Sequence, residues 1–194
     1  MRGTASLDFA VKDLEIPSEF VIDFVQDAPV HPGPLYRLPA TYILASGLAP
    51  ICLGIARGAI DAFTELIESK TDRFTGARMR DRMTVQERLA QAEALVRAAR
   101  ALLYETIEEI WEGVCKGDIP DARQIALGQL ALTHAVDSGA KAVDLAYHAS
   151  GTSAIFTSNP LERYFRDIHV ATQHRFASPQ EIYKVGAVLL GADQ

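Results

Sequence analysis

The strongest constraint on the fold is a series of apolar residues spaced three and four apart, which begins near Tyr42 and continues with interruptions to Leu190. That spacing places apolar side chains on one face of an α-helix, and such a face must pack against another element. Breaks near residues 69, 116–118 and 150–151 divide the series into helices with short connections. The pattern predicts an all-α fold, an antiparallel four-helix bundle, preceded by a short N-terminal β remnant.

Caps and prolines predict where the helices begin and end. Pro50 lies inside the first helix and predicts a kink or a later start there, because proline lacks a backbone donor. Thr84 is the predicted N-cap of the second helix, with Glu87 completing a capping box. The predicted helices cover about residues 42–69, 84–115, 121–150, 160–173 and 180–190.

The first part of the chain has a different pattern. Apolar and polar residues alternate there, which is typical of two short strands, and an isolated pair of strands needs a sheet partner. A proline-rich bridge follows, with fixed φ angles that suit an extended connector. We therefore predict a remnant of a β domain and a linker over residues 1–35, and the helical bundle over residues 36–194. The alternating residues are Leu7, Phe9, Val11, Phe20, Ile22 and Phe24, and the bridge contains Pro29, Pro32, Pro34 and Pro39.

Charge and cysteine content exclude several classes of protein. The formal net charge is -6, and the 19 lysines and arginines include no long basic run, so a nucleic-acid groove is not expected. The two cysteines lie far apart, which fits neither a disulfide framework nor a zinc cluster, and we expect no metal site. The sequence shows no signal peptide and no membrane span. We expect a soluble, cytoplasmic protein.

Two groups of residues have reactive side chains, and each has two interpretations. His169 and His174 are five residues apart, which is poor spacing for a shared metal. They are either surface or helix-end histidines, or they act as a proton donor or acceptor. The arginines of the second group form either a solvated face paired with Asp72 and Asp81 or a site for the diphosphate of a nucleotide cofactor. These arginines are Arg73, Arg78, Arg80, Arg82 and Arg88.

Aromatic residues give a further pair of alternatives. Trp111 together with Phe63 or Tyr104 is compatible with an aromatic pocket. Packing in the core or in a subunit interface explains the same residues more simply.

Three ordered motifs carry a resemblance that spans nearly the whole chain. They are MRGTASLD followed by VKDLEIP at residues 1–17, VQERLA followed by AAR at residues 85–100, and NPLERYFRD at residues 159–167. Together they resemble the C-terminal half of the acyl-CoA dehydrogenase superfamily. The resemblance implies a flavin cofactor, FAD or FMN, and a homotetramer with the bundles at its centre. It also implies that the N-terminal helical domain and most of the β domain of that superfamily have no counterpart here.

A finer resemblance concerns the branch of that superfamily. In one group of dehydrogenases of the superfamily the catalytic Glu comes just after the arginine-aspartate pair, whereas residues 171–176 read ATQHRF without a carboxylate. The RDIH…QH pattern resembles the flavin-dependent two-component monooxygenases. That resemblance implies His174 as the catalytic residue beside the flavin, a flavin reductase as partner and a small aromatic or heteroaromatic substrate. The flavin contacts that it implies are Arg73, Phe74, Gly151, Thr152 and Ser153.

Two alternatives stay open. The chain is compatible with an acyl-CoA dehydrogenase whose catalytic base lies on an earlier bundle helix, as in some members of the superfamily, which makes Glu65 or Glu68 the candidate base. It is also compatible with a non-catalytic helical module that oligomerises or binds a full-length paralogue.

Overall fold

The computed structural model describes residues 7–23 and 29–192 of the chain. Within those residues the regular structure is helical, and α4 lies at its centre, in contact with α2, α3, α5 and α6. The expected all-α bundle is confirmed. The α-helices are α1 (Ala40–Ser46), α2 (Leu48–Ser69), α3 (Met83–Lys116), α4 (Ala122–Ser150), α5 (Pro160–Ala171) and α6 (Pro179–Leu189).

Small residues allow α4 to occupy the centre. Ala131, Ala135, Ala142 and Ala146 are all buried, and alanine lets a neighbouring helix approach closely. At Gly139 a Cβ atom would lie 3.1 Å from the backbone oxygen of Cys52, so α2 crosses α4 almost in backbone contact. Larger side chains fill the space around these crossings, among them Phe63, Ile60, Leu103, Leu161 and Ile168, all fully buried.

The predicted break near Pro50 is present. The first helical segment is interrupted at Gly47, and α2 begins at Leu48, so Pro50 occupies the first turn of α2. Proline fits this position because the first-turn backbone donors have no partner inside the helix. Tyr42 of α1 packs against α4, where its ring lies over Gly128.

The stretch Ala40–Ser69 is long and apolar enough, by length and composition alone, to cross a membrane. A core helix of a globular bundle has the same properties. In this stretch Ala49, Cys52 and Ile60 are fully buried within the bundle. The Arg57 guanidinium forms ion pairs with Asp61 at 2.8 Å and with Glu93 at 2.7 Å. We therefore assign the stretch to the bundle core.

The prediction of two N-terminal strands is wrong for the described residues. Residues 7–23 contain a single 3-10 turn, Ser18–Phe20, and no strand. Leu7, Phe9 and Phe20 are 82%, 90% and 73% exposed, because the described residues form no sheet that could cover them. Phe24, the last residue of the predicted second strand, lies outside the described residues. The domain division at residues 35 and 36 stays a prediction.

The predicted cap at Thr84 is also wrong. The helix α3 begins at Met83, since the backbone N–H groups of Val85 and Gln86 donate to the carbonyl of Arg82. The capping box lies instead at the start of α4. There the Asp121 carboxylate accepts from the Gln124 backbone N–H at 2.7 Å, and the Gln124 side chain accepts from the Asp121 N–H at 2.9 Å.

Candidate functional site

One group of predicted cofactor contacts lies in the loop between α2 and α3. The Asp72 carboxylate accepts hydrogen bonds from the backbone N–H groups of Phe74 and Thr75, at 2.9 and 2.8 Å, and from the Thr75 hydroxyl at 3.0 Å. The Thr75 bonds, followed by that of Phe74, lower the pKa of Asp72 to about 2. This turn presents the ring of Phe74, 95% exposed, at the tip of the loop beside the exposed Arg73.

The arginines of this region divide into paired and unpaired groups. Arg82 binds Asp72, and Arg80 lies 3.8 Å from Asp81, so the interpretation as a solvated, paired face holds for these two. Among the described residues, no carboxylate forms an ion pair with Arg73 or Arg78. An exposed guanidinium without a carboxylate partner suits a phosphate group. This donor set fits the diphosphate part of a flavin nucleotide.

The second group of predicted contacts lies after α4. Gly151, Thr152 and Ser153 begin a 3-10 turn that runs to Ile155. Gly151 has φ 59° and ψ -147°, a conformation that favours glycine, and its backbone is exposed. The ammonium of Lys70 donates to the Ser150 carbonyl at 2.6 Å, and partial burial lowers the pKa of Lys70. Because Lys70 adjoins the α2–α3 loop, this bond brings both groups of predicted contacts to the same end of the bundle.

His174 lies at the opposite end of α5 from Gly151. The helix α5 has 12 residues, which makes it about 18 Å long. His174 and the predicted cofactor contacts after α4 are therefore separated by the length of α5. The imidazole of His174 is exposed, and its Nδ1 accepts the backbone N–H of Phe176 at 3.3 Å. A neutral imidazole with an accepting Nδ1 carries its proton on Nε2, which leaves Nε2–H available as a donor.

The loop that carries His174 is held by α4. The side-chain amide of Gln129 donates to the Phe176 carbonyl at 2.9 Å and to the Thr133 hydroxyl at 3.0 Å. The Thr133 hydroxyl in turn donates to the Gln129 carbonyl at 2.9 Å. The backbone of Phe176 is therefore fixed on both sides, by α4 through its carbonyl and by His174 through its N–H.

A cavity of about 400 Å³ lies beside this loop, between α1, α4 and α6. Tyr42 lines it from α1, and the phenol ring packs against Gly128, where a Cβ atom would lie 2.5 Å from the ring. Tyr42 is 6% exposed, and its hydroxyl has no hydrogen-bond partner within the described residues. Arg175 and Phe176 line the cavity on the side of the His174 loop. Sequence reasoning missed this cavity, because its walls come from four separate segments.

His169 lies in the last turn of α5, as the helix-end interpretation predicts, and it also has a specific partner. Its Nε2 lies 2.9 Å from the Asp144 carboxylate on α4, and its ring packs edge-on against Phe165, with 4.5 Å between ring centroids. Phe165 stacks in turn on Tyr147 at 4.2 Å. The pair ties α5 to α4, so His169 and His174 have different surroundings. No local pattern points to Asp144, since 25 residues separate the partners.

The remaining candidates are scattered over the bundle. Phe63 is buried in the core, and Tyr104 is 52% exposed under the Arg100 guanidinium. Trp111, 40% exposed, lines a smaller cavity of about 210 Å³ that shares Tyr42 with the larger one. Glu65 and Glu68 are exposed on α2. The aromatic residues therefore do not form one pocket.

Comparison with known proteins places the chain in a family. The family model for the acyl-CoA dehydrogenase C-terminal domain matches residues 46–179. The indole-3-acetate monooxygenase of Pseudomonas putida is 33% identical over 192 residues, which are 98% of this chain and 49% of that protein. The oxygenase component of p-hydroxyphenylacetate 3-hydroxylase from Acinetobacter baumannii is 30% identical over 159 residues, 82% of this chain and 37% of that protein.

A solved structure shares the fold. XiaF from Streptomyces sp., in complex with FADH2 and glycerol, aligns with a TM-score of 0.78 and 21% identity, over 86% of this chain and 42% of that one. The fold and the matches define a helical-bundle domain of the kind found in flavin-dependent oxidoreductases. The chain belongs to the acyl-CoA dehydrogenase C-terminal domain family. It spans about half the length of the curated relatives it matches.

Proposed function

We propose that this domain serves a flavin-dependent monooxygenase that acts on a small aromatic substrate. The observation that carries the proposal is the imidazole of His174. In the sequence it follows the arginine-aspartate pair, in the region where one group of acyl-CoA dehydrogenases has its catalytic carboxylate. An imidazole with its proton on Nε2 donates a hydrogen bond at neutral pH, whereas a carboxylate only accepts one. A monooxygenase reaction with O2 needs such a donor. The acyl-CoA dehydrogenase reaction needs a base instead, because a proton is abstracted next to a thioester.

The cofactor of this proposal is FAD or FMN in its reduced form, supplied by a flavin reductase. When bound, it would supply the two electrons that convert O2 into one oxygen atom on the substrate and one molecule of water. Arg73 would hold the phosphate part of the nucleotide, the ring of Phe74 would cover it, and the backbone at Gly151, Thr152 and Ser153 would bind its polar edge. His174 would hold a proton at Nε2 near the reacting oxygen atoms.

A homotetramer forms part of the same proposal. His174 and the predicted flavin contacts belong to opposite ends of α5, and in this proposal a neighbouring copy would complete the site. Phe74 at 95% and Ile155 at 57% exposure give the Arg73 and Gly151 end of the bundle an apolar surface for such a contact. The expected cytoplasmic location belongs to the proposal as well.

The first experiment measures flavin binding. The purified chain, with its mass determined by light scattering, is titrated with oxidised and reduced FMN and FAD while flavin fluorescence is followed. We expect micromolar binding to a defined oligomer, and Arg73→Ala should weaken it by about tenfold through loss of a charged hydrogen bond. Arg97→Ala, an exposed arginine on α3, is the matched control. Absence of binding in every oligomer, or equal loss in both variants, contradicts the flavin site.

The second experiment tests His174 in the assembled oxygenase with its reductase. His174→Ala should lower the fraction of consumed O2 that appears in hydroxylated product and raise the fraction released as H2O2, by about tenfold or more. His148→Ala, an exposed histidine on α4, should leave that ratio unchanged. If both variants keep the ratio of the parent protein, the assignment of His174 is wrong.

A further inference from the structure

We propose that Lys70 is a positioning residue of the flavin site. Its ammonium joins the turn after α4 to the loop between α2 and α3, and it offsets the negative charge at the end of α4. The inference deepens the proposed function and rests on it for the statement that the ligand is a flavin phosphate. That Lys70 holds the turn rests on the contacts of this residue alone.

Lys70 connects two segments that are distant in sequence. Its ammonium donates to the carbonyl of Ser150, the last residue of α4, at 2.6 Å and across 80 residues. Its own backbone carbonyl accepts the N–H of Met79 at 3.0 Å, and Thr71 pairs with Arg78 in an antiparallel bridge. The same residue therefore closes the base of the α2–α3 loop and holds the end of α4.

The turn after α4 is tied to the α2–α3 loop through Lys70. Gly151 has φ 59°, and Gly151 and Thr152 are both exposed. Apart from its neighbours in the chain, the atom nearest to a Cβ placed at Gly151 would be Nζ of Lys70, at 4.0 Å. Within the described residues, no other hydrogen bond joins the turn to the loop. The bond from Lys70 therefore sets the spacing between the two groups of predicted flavin contacts.

The charge of Lys70 changes what the end of α4 can bind. The free carbonyls at a helix C-terminus carry a partial charge of about -0.5, which repels a phosphate. Lys70 places a full positive charge on the Ser150 carbonyl, and no carboxylate in residues 7–23 or 29–192 forms an ion pair with it. An ammonium has three donors, so it can hold this carbonyl and still attract an anion. The end of α4 therefore accepts a phosphate group that it would otherwise repel.

The bundle contains a similar contact at its other end, which serves as a comparison. The Arg37 guanidinium donates to the Val114 carbonyl at 2.8 Å, and a Cβ atom at Gly117 would lie 3.7 Å from its Nη1. Each cation thus binds the end of a helix beside a glycine with positive φ, Gly117 or Gly151. The end of α3 lies about 51 Å along that helix from the α2–α3 loop, because α3 has 34 residues. Only the Lys70 contact adjoins the predicted flavin residues.

The test compares FMN with riboflavin, which lacks the phosphate. Binding to the 194-residue chain is followed by flavin fluorescence. Lys70→Met keeps the length of the side chain and removes its charge, so it should weaken FMN binding by about tenfold and riboflavin binding by less than about threefold. Lys70→Arg keeps the charge and should restore most of the FMN affinity. Arg37→Met removes the matched contact and should change neither affinity.

A second measurement needs no flavin. The backbone N–H of Gly151 donates to the carbonyl of His148, and its exchange with solvent is measured by NMR. We expect this exchange to be about tenfold faster in Lys70→Met, because the turn opens more often once the ammonium is lost. Lys70→Arg and Arg37→Met should exchange this N–H at the rate of the parent chain.

Two kinds of result overturn the proposal. One is unchanged exchange at Gly151 in Lys70→Met. The other is FMN binding by Lys70→Met that equals that of the parent chain, or that falls no further than in Arg37→Met. If the exchange rises as expected but the parent chain binds no flavin, Lys70 holds the turn and the proposed function fails.

Discussion

The side-chain amide of Gln129 donates to the carbonyl of Phe176 at 2.9 Å, across 47 residues of sequence. This bond joins the central helix of the bundle to the loop that carries His174 and Arg175. The loop therefore owes its position to α4 as much as to its own short 3-10 turn, Arg175–Ala177.

Gln129→Leu should loosen that loop. Loss of one partly buried hydrogen bond costs about 1 kcal/mol, which lowers the melting temperature of a chain of this size by about 3 °C. The backbone N–H of Phe176 should also exchange faster with solvent, which hydrogen-exchange NMR measures directly. Gln91→Leu removes an exposed bond to Glu87 on α3 and should change stability by less than about 0.5 kcal/mol. Equal exchange at Phe176 in the parent and Gln129→Leu proteins would show that α4 does not hold the loop.

Two glycines should respond to alanine in opposite directions. At Gly128 the new Cβ would lie 2.5 Å from the Tyr42 ring, so Gly128→Ala should destabilise the protein by about 1–3 kcal/mol. At Gly54 no atom lies within 4 Å, and alanine is the better helix former, so Gly54→Ala should stabilise it by about 0.5–1 kcal/mol. Denaturant unfolding of both variants gives the comparison. Equal effects at the two sites would contradict the close packing of Tyr42 on α4.

The Asp72 turn should make stability depend on pH in a defined window. Its carboxyl pKa is lowered to about 2, chiefly by the bonds from Thr75 and Phe74, so the contribution to stability is present above the ordinary carboxyl pKa of about 4. That contribution is lost as the pH falls through about 2. The melting temperatures of the parent and Asp72→Asn proteins should therefore differ at pH 6 and converge between about pH 4 and 2. Asp137→Asn, which removes an exposed pair with Lys141, should show little difference at pH 6. A gap between the parent and Asp72→Asn proteins that stays constant down to pH 2 would rule out this role of Asp72.

The two thiols should differ in reactivity. Cys52 is fully buried, and burial raises its pKa to about 11, whereas Cys115 is exposed. Iodoacetamide at pH 8 should therefore alkylate Cys115 in the folded protein and reach Cys52 only after unfolding. Mass spectrometry of peptides from native and urea-treated samples measures both reactions, and Cys115→Ser provides a sample with the buried thiol alone. Alkylation of Cys52 at the same rate in both samples would contradict the packing of α2 on α4.

Features that depend on neighbouring residues in the chain could be predicted from the sequence. Pro50 and Pro160 mark helix starts, and Gly117, with φ 108°, ends α3 where the Lys-Gly-Asp sequence indicates. The capping box of α4 at Asp121 and Gln124 was predictable in the same way, because its spacing is local. The prediction at Thr84 missed the start of α3 by two residues, because a local pattern defines a helix end only to within one or two residues.

Features that depend on distant contacts could not be predicted. The alternation of apolar and polar residues in residues 7–23 would give a strand one apolar and one polar face. It does not provide the neighbouring strands with which such a strand must pair. The pair of His169 with Asp144, and the meeting of Tyr42 with Arg175 at one cavity, follow from how helices pack. The flavin contacts and His174 came from a resemblance and stay predictions.

Tyr42 lines two cavities, and the second one is lined by the single tryptophan of the chain. Any occupant of the larger cavity that moves the Tyr42 ring therefore changes the surroundings of the smaller one, which Trp111 lines together with Leu35 and Leu38. The indole is half-exposed, so its emission wavelength is sensitive to such a change. The fluorescence emission of Trp111 should therefore shift when a molecule enters the larger cavity and moves Tyr42.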